Sequence, residues 1–476
     1  MQIGYIRQHV GWVYPDLLWF SEEESKLANQ QREELLQALS GWVTYSSQGA
    51  KPHSGSLSPG CLICGHGGWG CNLINGLCTR HCFYCPQDHS IQVEHDSSTD
   101  AVAFKDPAEH ILFMEAFQIR GVGFSGGEPL LVLDRLLAHI QAIREKFGNS
   151  IYIWMYTNGD LLDRLVLKKL REAGLDEIRL DLSARKYDLE PVTLAKQYFS
   201  TVTVEIPAIP EDCGLLKSLL GKMERMGVDF LNLHQLMASQ FNYKELCQRH
   251  YHFLHQPNIP VFESEICALQ LLLFARENTI RLPINYCCAA YKDRFQGRDR
   301  RTRVSKWGLE NFEEITDAGY IRSIHVVDSP DQIDRLIRRF QEAHCSSNLW
   351  QCHQSKMEVS IHRDLVPYVD WSSAHVSIRY CKTEIGVKNP EGRMMMGNLA
   401  PQKFVVNQRN GWSLVGIESW RKLYIEKMNT KDVFRFFFQN YPAHGKDSIS
   451  KMREEAEELK KIAFWEQVES GLPEVF

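Results

Sequence analysis

The chain is 476 residues long, 44% hydrophobic and 11% aromatic, which suits a folded protein of two or three domains and excludes a disordered one. Its formal net charge of -5 supplies no global attraction to nucleic acid or to an anionic membrane. Residues 1–10 lack the apolar block of a secretion signal, and the densest apolar run, Ile266–Ala275, is too short to span a bilayer, so a cytoplasmic protein without membrane contact is expected.

Residues 1–58 read as an N-terminal extension. Ser21-Glu-Glu-Glu-Ser25 opens a polar helix reaching about Leu39, and the Ser-, Gly- and Pro-rich stretch Ser46–Pro59 marks a boundary. Residues 59–304 read as the core domain, in which about Cys71–Leu236 alternates short apolar runs with amphipathic stretches. After a first strand near Cys71, strands are predicted at Val122–Phe124, Ile151–Met155, Glu177–Leu182, Val202–Ile206 and Phe230–Leu233. Helices separate them. One is capped by Asp106 with Pro107 in its first turn, one covers Leu131–Phe147 and stops at Gly148, and one covers Leu161–Ala173 and stops at Gly174. Repeated strand–helix units imply a parallel sheet with right-handed crossovers. About six units fit, too few to close an eight-stranded barrel. The expected fold is therefore α/β, a partial (βα)6 TIM-like barrel whose chemistry gathers at the C-terminal strand ends. Residues 305–476 read as a separate α+β domain. It holds a strand at Tyr320–Val326, a helix through Ile333, Leu336, Ile337 and Phe340, and antiparallel strands at Met357–Ile361 and Val376–Tyr380. Phe434–Phe438 and a charged helix over about Ser450–Ser470 close it.

Fourteen cysteines would suit a secreted disulfide scaffold, but six of them crowd between Cys61 and Cys85 of a long chain. That crowding points to metal ligation in a reducing compartment. Cys78, Cys82 and Cys85 are spaced Cys-x3-Cys-x2-Cys. Such a set can hold three irons of a 4Fe–4S cluster and leave the fourth open, whereas a cluster for electron transfer alone normally takes four cysteines. The competing reading is structural zinc, completed by Cys61, Cys64 or His81. Cys213, Cys247, Cys267 and Cys381 read as small core residues.

Strand ends supply the second signal. Ser125-Gly-Gly-Glu-Pro129 follows the second apparent strand. Gly126 and Gly127 let a ligand approach the backbone, and Glu128 can receive a charged ammonium beside Pro129. The alternative is a plain turn with an exposed Glu. Asn158 and Gly159 end the third strand, and Asp181 and Ser183 end the fourth, suited either to ribose hydroxyls or to turn formation.

With Tyr84 between Cys82 and Cys85, the cysteine motif and Gly126–Pro129 together resemble the radical S-adenosylmethionine (SAM) superfamily over about residues 71–240. The resemblance implies that Cys78, Cys82 and Cys85 bind a 4Fe–4S cluster, that Tyr84 lies near adenine, and that Gly126, Gly127 and Glu128 hold the methionine amino group. Asn158, Asp181 and Ser183 join the candidate SAM residues. It further implies a one-electron donor such as flavodoxin or ferredoxin, cleavage of SAM to a 5′-deoxyadenosyl radical, and hydrogen abstraction from a substrate. That substrate, a peptide, protein or small molecule, is left open. A narrower resemblance, carried by Cys61-x2-Cys64, Val204–Pro210, Gly227–Leu233 and Tyr291–Gln296, is to a group related to pyruvate formate-lyase activating enzyme. Activation of a glycyl-radical enzyme is accordingly one alternative. Another is a metal-bearing RNA-binding protein without turnover, which the Gly-Gly-Glu-Pro stretch opposes.

Cys61, Cys64 and Cys71 form a second cysteine group, read either as an auxiliary iron–sulfur or zinc site, completed by Cys287, Cys288 or His66, or as core thiols near the cluster. Cys345-x6-Cys352 with His353 is a fainter metal pattern. The basic run Lys292–Lys306 reads as a solvated connector, or as a contact for phosphate, carboxylate or an RNA backbone.

Overall fold

The apolar runs of residues 69–287 become adjacent strands of one sheet in a computed structural model of the chain. The structure describes residues 14–382 apart from 15, 89–96, 100–101, 257, 354–356 and 371–373, together with 410–415, 465–466, 468 and 471–472. The chain divides into two compact units, the first running through Gly297 and the second opening at Arg298.

The first unit is built on β1 (Thr44–Ser46), β2 (Lys51–His53), β3 (Trp69–Asn75), β4 (Ser97–Thr99), β5 (Val102–Phe104), β6 (Gly121–Gly126), β7 (Tyr152–Thr157), β8 (Glu177–Leu180), β9 (Thr201–Pro207), β10 (Phe230–His234) and β11 (Ile284–Cys287). Their order across the sheet is β1-β2-β11-β10-β9-β8-β7-β6-β3-β4-β5. Strands β3 and β6 to β11 run parallel to one another, and antiparallel pairs extend the sheet at both ends. All the strands expected from sequence between Cys71 and Leu233 are present, and β11 adds one more parallel strand. β11 escapes a pattern search because its four residues are all buried, Asn285 included, so no alternation survives.

The connecting helices follow their local signals. α1 (Glu22–Leu39) begins with a capping box between Ser21 and Glu24. α2 (Pro59–Gly65) is capped by Ser58, whose side chain accepts from Cys61 N. The Asp106 side chain caps α3 (Pro107–Ala116) through Glu109 N. α4 (Leu133–Phe147) ends at Gly148, and α5 (Arg164–Ala173) ends at Gly174 in the left-handed region.

Helix α2 lies against β6 and β7. Close approach explains a glycine there: a Cβ on Gly123 would stand 2.6 Å from Trp154 Nε1, so the buried indole needs that space. The same face carries polar side chains. Arg179 Nη1 reaches Glu205 Oε2 (2.7 Å), its Nε reaches Glu177 Oε1 (2.9 Å), and its Nη2 donates to Ser58 Oγ on α2 (3.0 Å). Asn232 Nδ2 donates to Glu205 Oε2 (2.9 Å), and Asn285 Nδ2 donates to Asn232 Oδ1 (3.0 Å).

The second unit is an antiparallel sheet of β12 (Ile321–Val327), β13 (Trp350–Cys352), β14 (Glu358–Ile361), β15 (His375–Lys382) and β16 (Asn410–Val415), ordered β13-β14-β12-β15-β16. Ile333, Leu336 and Phe340 of α6 (Pro330–Glu342) join a core with Ile324, Val326, Val359, Ile361 and Val376. This matches the expected α+β character. The expected element at Phe434–Phe438 lies outside the described residues, and of the expected helix over Ser450–Ser470 only Trp465 and Glu466 are described as helical. Among the described residues, no helix is long and apolar enough to cross a membrane.

Candidate functional site

The loop carrying Cys78, Cys82 and Cys85 leaves the C-terminal end of β3, and Asn75 anchors its root. Asn75 Oδ1 accepts from Leu77 N (2.5 Å) while its Nδ2 donates to the Glu128 carbonyl (3.1 Å). Backbone bonds complete the seam: Gly127 N donates to Asn75 O (2.9 Å) and Glu128 N to Leu77 O (2.6 Å). Only glycine permits this. Gly126 has φ +124°, and a Cβ on Gly127 would lie 1.8 Å from Leu77 O. The two motifs, separated by about four dozen residues of sequence, are thus one backbone-paired structure at neighbouring strand ends.

Glu128 is 1% exposed. Its Oε1 accepts from Thr157 Oγ1 (2.8 Å) and Leu130 N (3.2 Å), and its Oε2 accepts from Asn158 N (2.9 Å). Burial pushes its carboxyl up to about 7, against these three hydrogen bonds. The side chain therefore ties the turn after β6 to the end of β7. Pro129 opens the short helical turn that follows.

Asn158 joins the cysteine loop directly. Its Nδ2 donates to Thr79 Oγ1 (2.8 Å) and faces Cys78 Sγ at 3.9 Å. Next to it Asp160 accepts a forked pair from Arg80, Nε to Oδ2 at 2.6 Å and Nη2 to Oδ1 at 2.7 Å, and a further contact from Arg185 at 3.0 Å. Tyr84 reaches the end of β8, where its hydroxyl lies 3.0 Å from Asp181 Oδ2 and 2.6 Å from Ser183 Oγ. Burial raises the Asp181 carboxyl, opposed by Ser183 and Tyr84. Asn242 Nδ2 holds the Tyr84 carbonyl (3.0 Å). All eleven residues expected at the cluster and SAM site thus fall at the C-terminal ends of β3, β6, β7 and β8. Sequence reading missed Asn75, Thr79, Arg80, Thr157, Asp160 and Asn242, which hold these loops together. Only Thr157 and Asp160 carried a signal, as neighbours of the flagged Asn158.

Burial pushes all three loop thiols up, Cys82 to about 11, and neighbouring thiolates add to it: Cys85 and Cys78 act on Cys82, and Cys78 acts on Cys85. Three soft ligands on one loop, costly to ionise without a cation, fit an iron–sulfur cluster.

The second cysteine group lies on other elements. Cys61 Sγ is 3.4 Å from Asn232 Nδ2, and buried Cys64, pushed up to about 12, stands near Lys51, Cys287 and Cys61. Cys71 is on β3 opposite Gly123, and Cys288 Sγ donates to Ala50 O (2.8 Å). Lys292 Nζ meets His234 Nδ1 (3.0 Å), whose Nε2 meets Glu205 Oε1 (2.7 Å). Elsewhere in the basic run, Arg301 donates to Ala318 O and lies over the Tyr320 ring, and Arg298 pairs with Asp299. Several of these cations are therefore used within the fold.

Residues 73–193 match the model of the Radical SAM superfamily. A Methanocaldococcus jannaschii protein, named provisionally as a glycyl-radical enzyme activating enzyme, is 29% identical over 297 residues, 60% of this chain and 78% of its own. Among solved structures, Streptococcus suis SuiB bound to S-adenosylmethionine matches with 9% identity and a TM-score of 0.32, covering 45% of this chain and 48% of its own. Coproporphyrinogen III oxidase from Escherichia coli matches with 12% identity and a TM-score of 0.28, covering 42% of this chain and 51% of its own. The chain spans about half the length of each of these two structures.

Proposed function

From the radical SAM domain at residues 73–193, which binds a 4Fe–4S cluster and S-adenosylmethionine and makes the chain an enzyme, we propose a division of labour among its residues. Cys78, Cys82 and Cys85 would hold the cluster, one protein ligand fewer than an electron-transfer cluster normally takes. Bound there, the cluster would supply the single electron needed for reductive cleavage of SAM to methionine and a 5′-deoxyadenosyl radical. The backbone at Gly126 and Gly127 receives the methionine end, with Glu128 positioning that turn from behind, because its oxygens already accept from Thr157, Asn158 and Leu130. Asn158 steadies Cys78, and Tyr84, fixed by Asp181 and Ser183, presents its ring to adenine. The observation that carries this reading is the seam between Asn75–Leu77 and Gly127–Glu128, which brings the two motifs to one place.

A radical needs its substrate in near contact and water excluded. The ends of β9 to β11 beside the cysteine loop offer the place, where His234, Glu205 and Lys292 form a polar chain. A protein target, a glycyl-radical enzyme, is favoured by the name of the M. jannaschii relative. Flavodoxin or ferredoxin is the fitting electron donor. None of the fourteen cysteines, all of them among the described residues, is in a disulfide, which favours a reducing compartment such as the cytoplasm. The domain limits that go with this reading are 1–58, 59–304 and 305–476.

Anaerobically reconstituted protein, given dithionite and SAM, should release 5′-deoxyadenosine, and Cys82→Ala should abolish the release. Undiminished release from Cys82→Ala would refute the assignment.

A further inference from the structure

The second unit carries a cluster that the radical chemistry does not use. Strand alternation sends Ile324, Val326, Val359 and Ile361 into the core with α6, and leaves Ser323, His325, Glu358 and Ser360 on the opposite face. His325 pairs with Ser360, and Val327 pairs with Glu358, so these side chains are cross-strand neighbours. His353, just past β13, is drawn to the same place by its N–H, which donates to Glu358 O (2.9 Å).

We propose that His325, His353 and Glu358 form a binding site for a divalent transition metal, with Zn2+ the first candidate. One ligand atom from each lies within 4.8 Å of the other two. His325 Nδ1 is 2.8 Å and His353 Nε2 3.5 Å from the same oxygen, Glu358 Oε1. Ser360 Oγ bridges the rings, 3.0 Å from His325 Nδ1 and 2.9 Å from His353 Nε2. The other nitrogen of His325 is already engaged, Nε2 at 2.7 Å from Ser323 Oγ. An imidazole that ligates through one nitrogen usually has its other nitrogen oriented by just such a partner. Two imidazoles and one carboxylate form the three-ligand set of zinc sites that keep a fourth position for water or substrate.

One neighbour opposes the metal. Arg379 Nη1 is 2.7 Å from Glu358 Oε1, so the carboxylate must offer one oxygen to the guanidinium and the other to the ion. The cysteines of the Cys345-x6-Cys352-His353 pattern do not take part. Cys352 pairs with Val359, on the alternate register, and its Sγ donates to the His353 carbonyl (3.7 Å), while Cys345 packs against the core.

The test uses full-length, cluster-reconstituted protein, titrated with Zn2+ against a competing chromophoric chelator, and in parallel with Co2+. One equivalent should bind apart from the cluster iron, and the Co2+ form should lack a thiolate charge-transfer band. His353→Ala and Glu358→Gln should each weaken binding at least tenfold with unchanged thermal unfolding of the metal-free protein. His353 lies at a strand end and is partly exposed, so its truncation leaves the core intact. Absence of a stoichiometric ion, equal binding in both variants, or a thiolate band would overturn the proposal. None of these outcomes depends on SAM cleavage.

Discussion

Arg179 shows how a single buried side chain governs the polar face behind the site. It is 3% exposed and faces Glu177 and Glu205. Burial opposes ionisation of Glu205, but Arg179 and His234 outweigh it and hold the carboxyl well below its usual range. Removing the guanidinium strands two carboxylates in a desolvated place. Arg179→Met should cost about 3–5 kcal/mol of stability, read as a drop in denaturant midpoint at unchanged m. Adding Glu205→Gln should recover part of it, since the stranded charge is then gone. A loss under about 1 kcal/mol would mean that the charges are better solvated than their burial implies.

At the scale of elements, α3 and α4 meet β3 through two buried imidazoles. Asn72 Nδ2 lies 3.2 Å from His110 Nδ1, His139 Nδ1 lies 3.2 Å from the same nitrogen, and Ser97 Oγ lies 3.3 Å from His139 Nε2. Burial pushes His139 down to about 4, with Arg135 adding to it, and holds His110 well below its ordinary value. The unfolded chain therefore binds more protons than the folded one below about pH 6.5, and stability is lost as pH falls from there toward 4. For His139 the loss should reach about 2 kcal/mol at pH 5. In His139→Leu the fall in denaturant midpoint between pH 7 and pH 5 should be distinctly shallower than in the unaltered protein. Parallel pH profiles would show that these histidines protonate freely in the fold.

The element scale also shows how far sequence reading reached. Caps and stops at Asp106, Gly148 and Gly174 fell where expected because they act within one turn of their own helix. The strand β11 did not announce itself, since full burial with an internal Asn285 erases the alternation that marks a strand. Asn285 is accommodated by Asn232, more than fifty positions earlier, with Cys61 Sγ a weaker second acceptor.

At the scale of the molecule, the parallel sheet of the first unit is the mechanical base of the site. Every loop that contributes to it leaves the C-terminal end of a strand paired on both sides. Amide exchange should rank accordingly. β7, β8 and β9, in the middle of the sheet, should be the slowest, and the edge strands β1 and β5 should be much faster. Edge amides as slow as those of β9 would show that the sheet opens only as a whole.

The spacing of Cys78, Cys82 and Cys85, the Gly126–Pro129 stretch and the alternating α/β pattern were determined by sequence alone, because ligand spacing, turn chemistry and periodicity are local. Only the tertiary structure decided the rest. It joined Gly127 to Asn75, turned Glu128 inward, set Cys64 beside Cys287, and drew His325, His353 and Glu358 together. Those meetings depend on strand register and order, which couple residues far apart in the chain and leave no periodic mark in it.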